Sequence, residues 1–273
     1  MDWKELKEIA IRKLLPKFGD IESKSICRLL HEDLFNKKTD LSETEIQLLN
    51  ESIERLWQDE PVQYITGISY FMELKLCINR SVLIPRPETE ELADIARKYI
   101  KFYPMKVLDI GTGSGCIALA IKKYCMQSEV MAIDISEEAL TVAKSNSSQL
   151  GLELELKQVD FLDQSSWKQL PSNLDMIVSN PPYVSKDEMS QMSPGTVKFE
   201  PSTSLFALDD PFIFYKKIAL FGRSHVSDRG RILVEINEFR AFETKSIFLE
   251  AGYKNVKLIH DLQGKSRFIF CEH

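Results

Sequence analysis

Over the first sixty residues, apolar side chains recur every three or four positions among charged ones, the spacing of one buried helix face. "DWKELKEIAIRKLL" predicts a first helix and "DIESKSICRLLHEDLF" a second, with Asp20 placed to cap it. A third, "SETEIQLLNESIERLWQDE", opens on a capping box of Ser42 and Glu45. Ile46, Leu49, Ile53, Leu56 and Trp57 follow at helical spacing. Residues 1–60 therefore predict a small helical unit that ends near Pro61.

The pattern then changes. "YITGISYFMELKLCINRSVLIP" is rich in aromatic and β-branched residues and predicts a hairpin, so residues 61–84 are expected to connect two domains. "PRPETEELADIARKYI" predicts a helix with Pro87 in its first turn and acids at its positive end. From residue 106, short apolar runs alternate with helical stretches. The predicted strands are "KVLDI", "EVMAID", "LELKQV", "LDMIVS", "GRILVEI", "NVKLIH" and "SRFIFC". "CIALAIKKY", "SEEALTVAKSNSSQL", "PFIFYKKIALFGRS" and "RAFETKSIFLEA" lie between most of them. This is an α/β domain over residues 85–273, with a mostly parallel seven-stranded sheet covered on both faces. "DLQGK" is too short for a crossover helix, so the last strand should run antiparallel to the one before it.

Composition narrows the function classes. With 273 residues, 44% hydrophobic and 28% charged, the chain has the make-up of an ordinary globular protein. The net charge of −6 is spread over both parts, leaving no basic footprint for sequence-specific nucleic-acid binding. The five cysteines (Cys27, Cys77, Cys116, Cys125, Cys271) form no CxxC pair and predict free thiols in a reducing cytoplasm. The four histidines lack metal-ligand spacing, so no metal is expected. The charged N-terminus is no secretory signal. No stretch approaches the roughly 18 apolar residues of a membrane span.

Four strand ends carry the candidate chemistry. "VLDIGTGSGCIALA" turns from a strand into a helix through Gly111, Gly113 and Gly115, which let a ligand approach the backbone. Its GxGxG spacing departs from the GxGxxG of dinucleotide sites, since Cys116 stands after the third glycine. In "MAIDIS", Asp134 can accept both hydroxyls of a ribose or cap the next helix, a role for which Ser136 competes. In "QVDFLD", Asp160 can accept from an adenine amino group and Phe161 can cover the ring, or the two can be a turn aspartate and a core phenylalanine. "LDMIVSNPPYVS" ends a strand on two prolines, which cannot donate to a ladder. Its Asn180–Tyr183 turn either stops the strand or holds a small planar group. All four ends fall on one rim of the sheet.

These motifs resemble the class I (Rossmann-like) S-adenosyl-L-methionine-dependent methyltransferases, and within them the release-factor glutamine methyltransferase family. "PVQYITG", "VLIPRPETEEL", "LDIGTGSGCIALA", "DISEEAL", "IVSNPPY", "FEPSTSLFA" and "DLQGKSRFI" follow the family pattern in its order. The resemblance covers most of the chain from Pro61 onward. It departs at Met72, where the family has glycine after Phe71. It departs also at Asp210–Pro211, which stands for Asp–Gly, and near Asn237, where a glycine and a glutamine are missing.

The resemblance implies methylation of the side-chain amide nitrogen (N5) of the glutamine in the Gly-Gly-Gln loop of a peptide chain release factor, with S-adenosylmethionine as cofactor. It implies cofactor binding by Asp109, Gly111, Thr112, Gly113, Ser114, Gly115, Asp134, Asp160, Phe161 and Asn180. Catalysis and substrate contact fall to Asn180, Pro181, Pro182 and Tyr183, with Arg86 and Glu200 also toward substrate. The chemistry suits the turn. An amide nitrogen is a weak nucleophile, and two acceptors, Asn180 Oδ1 and the Pro181 carbonyl, can orient its NH2 group while the prolines keep the turn rigid. Tyr183 can stack on the planar amide. A monomer is expected, with residues 1–60 as a second contact surface for the protein substrate. The competing readings are an adenine N6-methyltransferase of nucleic acid, a non-catalytic interaction protein of the same fold, and an NAD-dependent oxidoreductase. The acidic charge, the intact turn and the glycine spacing respectively weigh against them.

Overall fold

The computed structural model describes residues 1–100, 104–207 and 210–272, and within them the side chains of all but Lys186 and Gln191. Leu208 and Asp209 of "ALDDPFIFY", and His273, lie outside them.

The N-terminal helices are α1 (Trp3–Asp33), α2 (Glu43–Trp57) and the short α3 (Val62–Thr66). The two predicted helices before residue 36 both fall within α1 and are separated by a kink. Pro16 lies within it, and the break falls at Gly19, whose φ of 70° is open to glycine. Asp20 meets Lys24 Nζ one turn on, at 2.7 Å. The capping box stands as read: Ser42 Oγ accepts the Glu45 N–H and the Glu45 carboxylate accepts the Ser42 N–H. Leu14, Leu30, Phe35, Leu49, Ile53 and Leu56 pack with Val62 and Ile65 into one cluster.

Strands β1 (Ile68–Phe71) and β2 (Leu74–Cys77) form an antiparallel hairpin. Met72, in its turn, takes a left-handed φ of 52°, the conformation that a glycine would adopt more cheaply. Its N–H donates to the Glu90 carboxylate at 2.6 Å. Phe71, Leu74, Leu76 and Ile78 are buried in the same cluster as Val107 and Ile117 of the following domain. The fully buried Asn146 ties them further. Its Nδ2 donates to the carbonyls of Cys77 (2.9 Å) and Ser114 (3.0 Å), and its Oδ1 accepts the Cys77 N–H (2.7 Å). On the helical side, Asp33 accepts from Tyr70 Oη at 2.7 Å and pairs with Lys75 at 2.8 Å. Glu60 pairs with Arg55 and Arg80.

The remaining elements run α4 (Pro87–Ile100), β3 (Lys106–Ile110), α5 (Cys116–Tyr124), β4 (Glu129–Asp134), α6 (Glu137–Leu150), β5 (Glu155–Gln158) and β6 (Leu174–Ser179). They continue with α7 (Pro194–Phe199), α8 (Ser202–Leu205), α9 (Ile213–His225), β7 (Val226–Glu235), α10 (Ala241–Glu250), β8 (Asn255–His260) and β9 (Ser266–Glu272). The sheet order is β5-β4-β3-β6-β7-β9-β8, parallel except that β9 is antiparallel to both neighbours. Alternate residues of each strand feed opposite faces: Val107, Val130 and Val178 pack on one side, Leu108, Met131 and Ile177 on the other. The chain leaves β3 toward β4 and β5, then returns to add β6 and β7 on the other flank. The crevice outside the carboxyl ends of β3 and β6 is therefore the topological switch point, where open α/β sheets bind ligands.

Candidate active site

A cleft opens at that switch point. Its wall includes Ile110–Ser114, Asp134–Ser136, Val159–Leu162, Asn180–Pro182, Arg86 and Thr89. All four predicted strand ends thus meet in one place.

The glycine loop is built by backbone. Gly111, Gly113 and Gly115 have φ of 72°, 53° and 82°. The Ile133 carbonyl accepts the N–H groups of Gly111 (2.9 Å) and Thr112 (3.0 Å), holding the loop against β4. Open space faces Gly111 and Gly113, whereas a Cβ on Gly115 would stand 3.3 Å from Ala143 and Leu119. Gly115 therefore serves close packing of α5 on α6, outside the cleft lining, while the other two leave room for a ligand. Asp134 Oδ2 accepts the Gly113 N–H (2.9 Å) and Oδ1 the Ser136 N–H (3.0 Å). Helix α6 is capped by Ser136, which leaves Asp134 to the cleft. One bond per oxygen leaves a carboxylate further acceptor capacity. Burial raises the Asp134 pKa above its usual range.

Asp109 is elsewhere. It is fully buried behind the loop, where Oδ2 accepts the Thr112 hydroxyl at 2.7 Å, and burial pushes its carboxyl up to about 7. Asp160 Oδ1 accepts the Leu162 N–H at 3.0 Å. Phe161 belongs to both readings, lining the cleft while stacking on Trp167 at 5.7 Å between centroids.

At the Asn180–Tyr183 turn, Asn180 Nδ2 donates to Thr89 Oγ1 at 2.9 Å. Thr89 Oγ1 donates to Glu235 Oε2 at 2.8 Å, and Tyr183 Oη donates to Glu235 Oε1 at 3.2 Å. Tyr183 packs on the core behind the cleft lining, and burial, helped by the adjacent Glu235 carboxylate, raises its pKa strongly. Arg86 lines the cleft and pairs with buried Glu200, which also accepts the Ile84 N–H at 3.2 Å. Glu200 thereby ties "FEPSTS" to "IPRPETE" from outside the lining. Asn237, at the third departure, accepts the Phe239 N–H and donates to Glu188.

The sequence reading missed Thr89 and Glu235. Glu235 is 2% exposed at the carboxyl end of β7, and burial pushes it up to about 7. An acid closing an apolar strand on the ligand rim was the signal, the same one that marks Asp134. Among the described residues, no group of histidine, cysteine and acidic side chains is placed to hold a metal, and no helix is long and apolar enough to cross a membrane.

Comparison with known proteins follows the same lines. The profile of the Methyltransferase small domain family matches residues 96–194. A methyltransferase from Pyrococcus furiosus superposes with a TM-score of 0.54 at 18% identity, over 82% of this chain and 98% of that one. The hMettl16 catalytic domain, solved with the MAT2A 3′UTR hairpin 6, gives 0.57 at 16% identity, over 86% and 83%. Such likeness establishes the class I methyltransferase fold. The release factor glutamine methyltransferase of Bacteroides thetaiotaomicron is 38% identical over 81% of this chain and 79% of its own length. That of Lactococcus lactis subsp. lactis is 39% identical over 269 residues, 95% of this chain and 97% of its own length. On that similarity, and with the NPPY turn and glycine loop on one cleft, the chain belongs to the release factor glutamine methyltransferase family.

Proposed function

We propose that this protein methylates the side-chain N5 of the glutamine in a release factor's Gly-Gly-Gln loop, with S-adenosylmethionine as donor. The observation that carries the reading is Asn180. Its NH2 group is turned to Thr89, which leaves Oδ1 as an acceptor on a turn that, with Pro181, lines the glycine-loop cleft.

The residues present fit the cofactor. Gly111 and Gly113 leave open space, with Thr112 and Ser114 beside it. Asp134 keeps lone pairs for ribose hydroxyls, and Asp160 and Phe161, on the same cleft wall, would read and cover the adenine. Asp109 acts from behind, through Thr112. The cofactor would supply a methyl on a sulfonium sulfur. On transfer that methyl would pass to the amide nitrogen, sulfur would leave as a neutral thioether with the bonding pair, and the surplus nitrogen proton would go to solvent. Asn180 Oδ1 and the Pro181 carbonyl orient the NH2 group for that displacement, and Pro182 keeps the turn rigid. Tyr183, packed behind the lining, anchors the turn through Glu235, and Arg86, held by Glu200, faces the cleft. A lone glutamine gives little to recognise, so residues 1–60, with helices α1 and α2, serve as a second surface for the rest of the factor.

Mass spectrometry of a release factor incubated with this protein and labelled cofactor tests the reading. One methyl on the Gly-Gly-Gln fragment is expected, with a short Gly-Gly-Gln peptide a much poorer substrate. Label appearing in adenine of duplex DNA instead would overturn it.

A further inference from the structure

The buried Glu235 carboxylate accepts hydrogen bonds from two hydroxyls, Thr89 at 2.8 Å and Tyr183 at 3.2 Å. A hydroxyl has only one proton to give. With that of Thr89 committed to Glu235, Oγ1 offers its other side only as an acceptor, and Asn180 Nδ2 donates to it at 2.9 Å. An amide that turns its NH2 toward Thr89 turns its oxygen away from it. The charge on Glu235, two hydrogen bonds distant, thus dictates which end of the Asn180 amide is free.

We infer that Glu235 is a positioning residue for methyl transfer: through Thr89 it holds Asn180 Oδ1 as the acceptor offered to the substrate amide, and through Tyr183 it anchors the far end of the same turn. The inference rests on the proposed amide methylation, since only an NH2-bearing target needs an acceptor there. Three distant segments are joined by this one carboxylate: "IPRPETE" on α4, "SNPPY" after β6, and the end of β7. A donor in its place reverses the chain. Thr89 would then accept from residue 235 and donate to Asn180, and the amide would present NH2 to NH2. The groups facing Glu235 are Thr89 and Glu88 from α4, Cys116 from α5, Tyr183, Tyr215 from α9 and Arg267 from β9. Burial is the largest influence on it and favours the neutral form, so its ionisation falls within the working pH range.

The test follows kcat and KM for an intact release factor, with cofactor affinity by calorimetry, in wild type, Glu235→Gln, Thr89→Val and Thr89→Ser. In metal sites, outer partners that orient a ligand typically carry about 10–100-fold in activity, and an effect on that scale is expected of a carboxylate that orients Asn180. Glu235→Gln and Thr89→Val should each lose kcat on that scale with KM and cofactor affinity little changed. Thr89→Ser keeps the hydroxyl and should keep most of the turnover. The double variant Thr89→Val/Glu235→Gln should be little worse than either single one, because both break one chain. Wild-type kcat should fall as pH drops through about 7, and Glu235→Gln should lack that limb. Wild-type kcat in a folded Glu235→Gln, or equal damage from Thr89→Ser and Thr89→Val, overturns the inference. If Glu235→Gln fails to bind cofactor, the Thr89 pair decides alone. Failure of the substrate reading looks different: the wild type itself leaves the factor unmodified. The Asn180 side-chain amide resonances, which Glu235→Gln should shift and Thr89→Ser should not, then decide on Glu235.

Discussion

Between Gly111 and Asp160, the cleft wall is made of short stretches that each finish their own strand. Three positive-φ glycines and the backbone bonds to Ile133 shape it, and the side-chain ties between its strand ends, Asp134 to Gly113 and Gln158 to Ile135, each end on a backbone group. The Asn180–Tyr183 wall is also a strand end, yet what holds it comes from far along the chain. Thr89 lies 91 residues from Asn180, and Glu235 lies 52 from Tyr183. One half is shaped by backbone conformation, which only glycine makes cheap. The other is a side-chain network, in which each proton direction depends on the next. Backbone shape suits a cofactor, the same molecule at every turnover. A polar network suits a reacting amide, because it sets donor and acceptor sense.

The sharpest way to break the comparison is to damage one half and watch the other. Asn180→Ala removes an acceptor from the proposed reacting amide. Loss of such a preorganised group typically costs about 10²–10³ in rate. Single-turnover measurements should show that loss, with cofactor affinity reduced far less. Near wild-type turnover would mean that the turn is no cradle.

Asp134→Ala strikes the other half. Two ribose hydrogen bonds to a charged acceptor are at stake, each worth about 1.5–3 kcal/mol. Calorimetry should find cofactor binding weakened by about 3 kcal/mol, the low end of that sum, while kcat at saturating cofactor falls less. Unchanged affinity in a folded variant would end the ribose assignment.

The smallest effect concerns Asp109, behind the first half. Its carboxyl sits at about 7 in the folded chain against an ordinary 3.8, so between these values the folded state binds more protons than the unfolded. Stability from this group is therefore present at low pH and lost as pH rises through that window. Asp109→Asn removes the titration. Urea unfolding at about pH 5 and about pH 8 should show the variant gaining on wild type at the higher pH, by on the order of 1–3 kcal/mol. A pH-independent gap would show that Asp109 is not held neutral by burial.

Much of this was legible in the sequence. The seven strands fall where the apolar runs predict them, and the antiparallel last strand follows from a five-residue connection. The first two helices meet at a kink where the sequence divides them: Gly19, three residues after Pro16, leaves helical backbone with φ of 70° and ψ of 176°. The missing glycine at position 72 shows how a departure is absorbed: the backbone keeps a positive φ and a methionine bears it. Hairpin residues Phe71 to Ile78 read as a connection, yet their side chains share the core of the sheet domain, and Asn146 bonds them to the glycine loop. No periodicity within the hairpin announces a partner so far along the chain.

The sequence by itself determined the elements, the parallel sheet and the four strand ends of the cleft, because these depend on periodicity and turn chemistry within a few residues. Tertiary structure alone decided which acid at a strand end does what. Asp109, Asp134 and Glu235 all close apolar strands, but one faces the core behind the loop, one faces the cleft, and one accepts hydrogen bonds from two hydroxyls of other segments. A carboxylate's role depends on what packs against it. Here those neighbours come from segments tens of residues away, and local spacing carries no record of them.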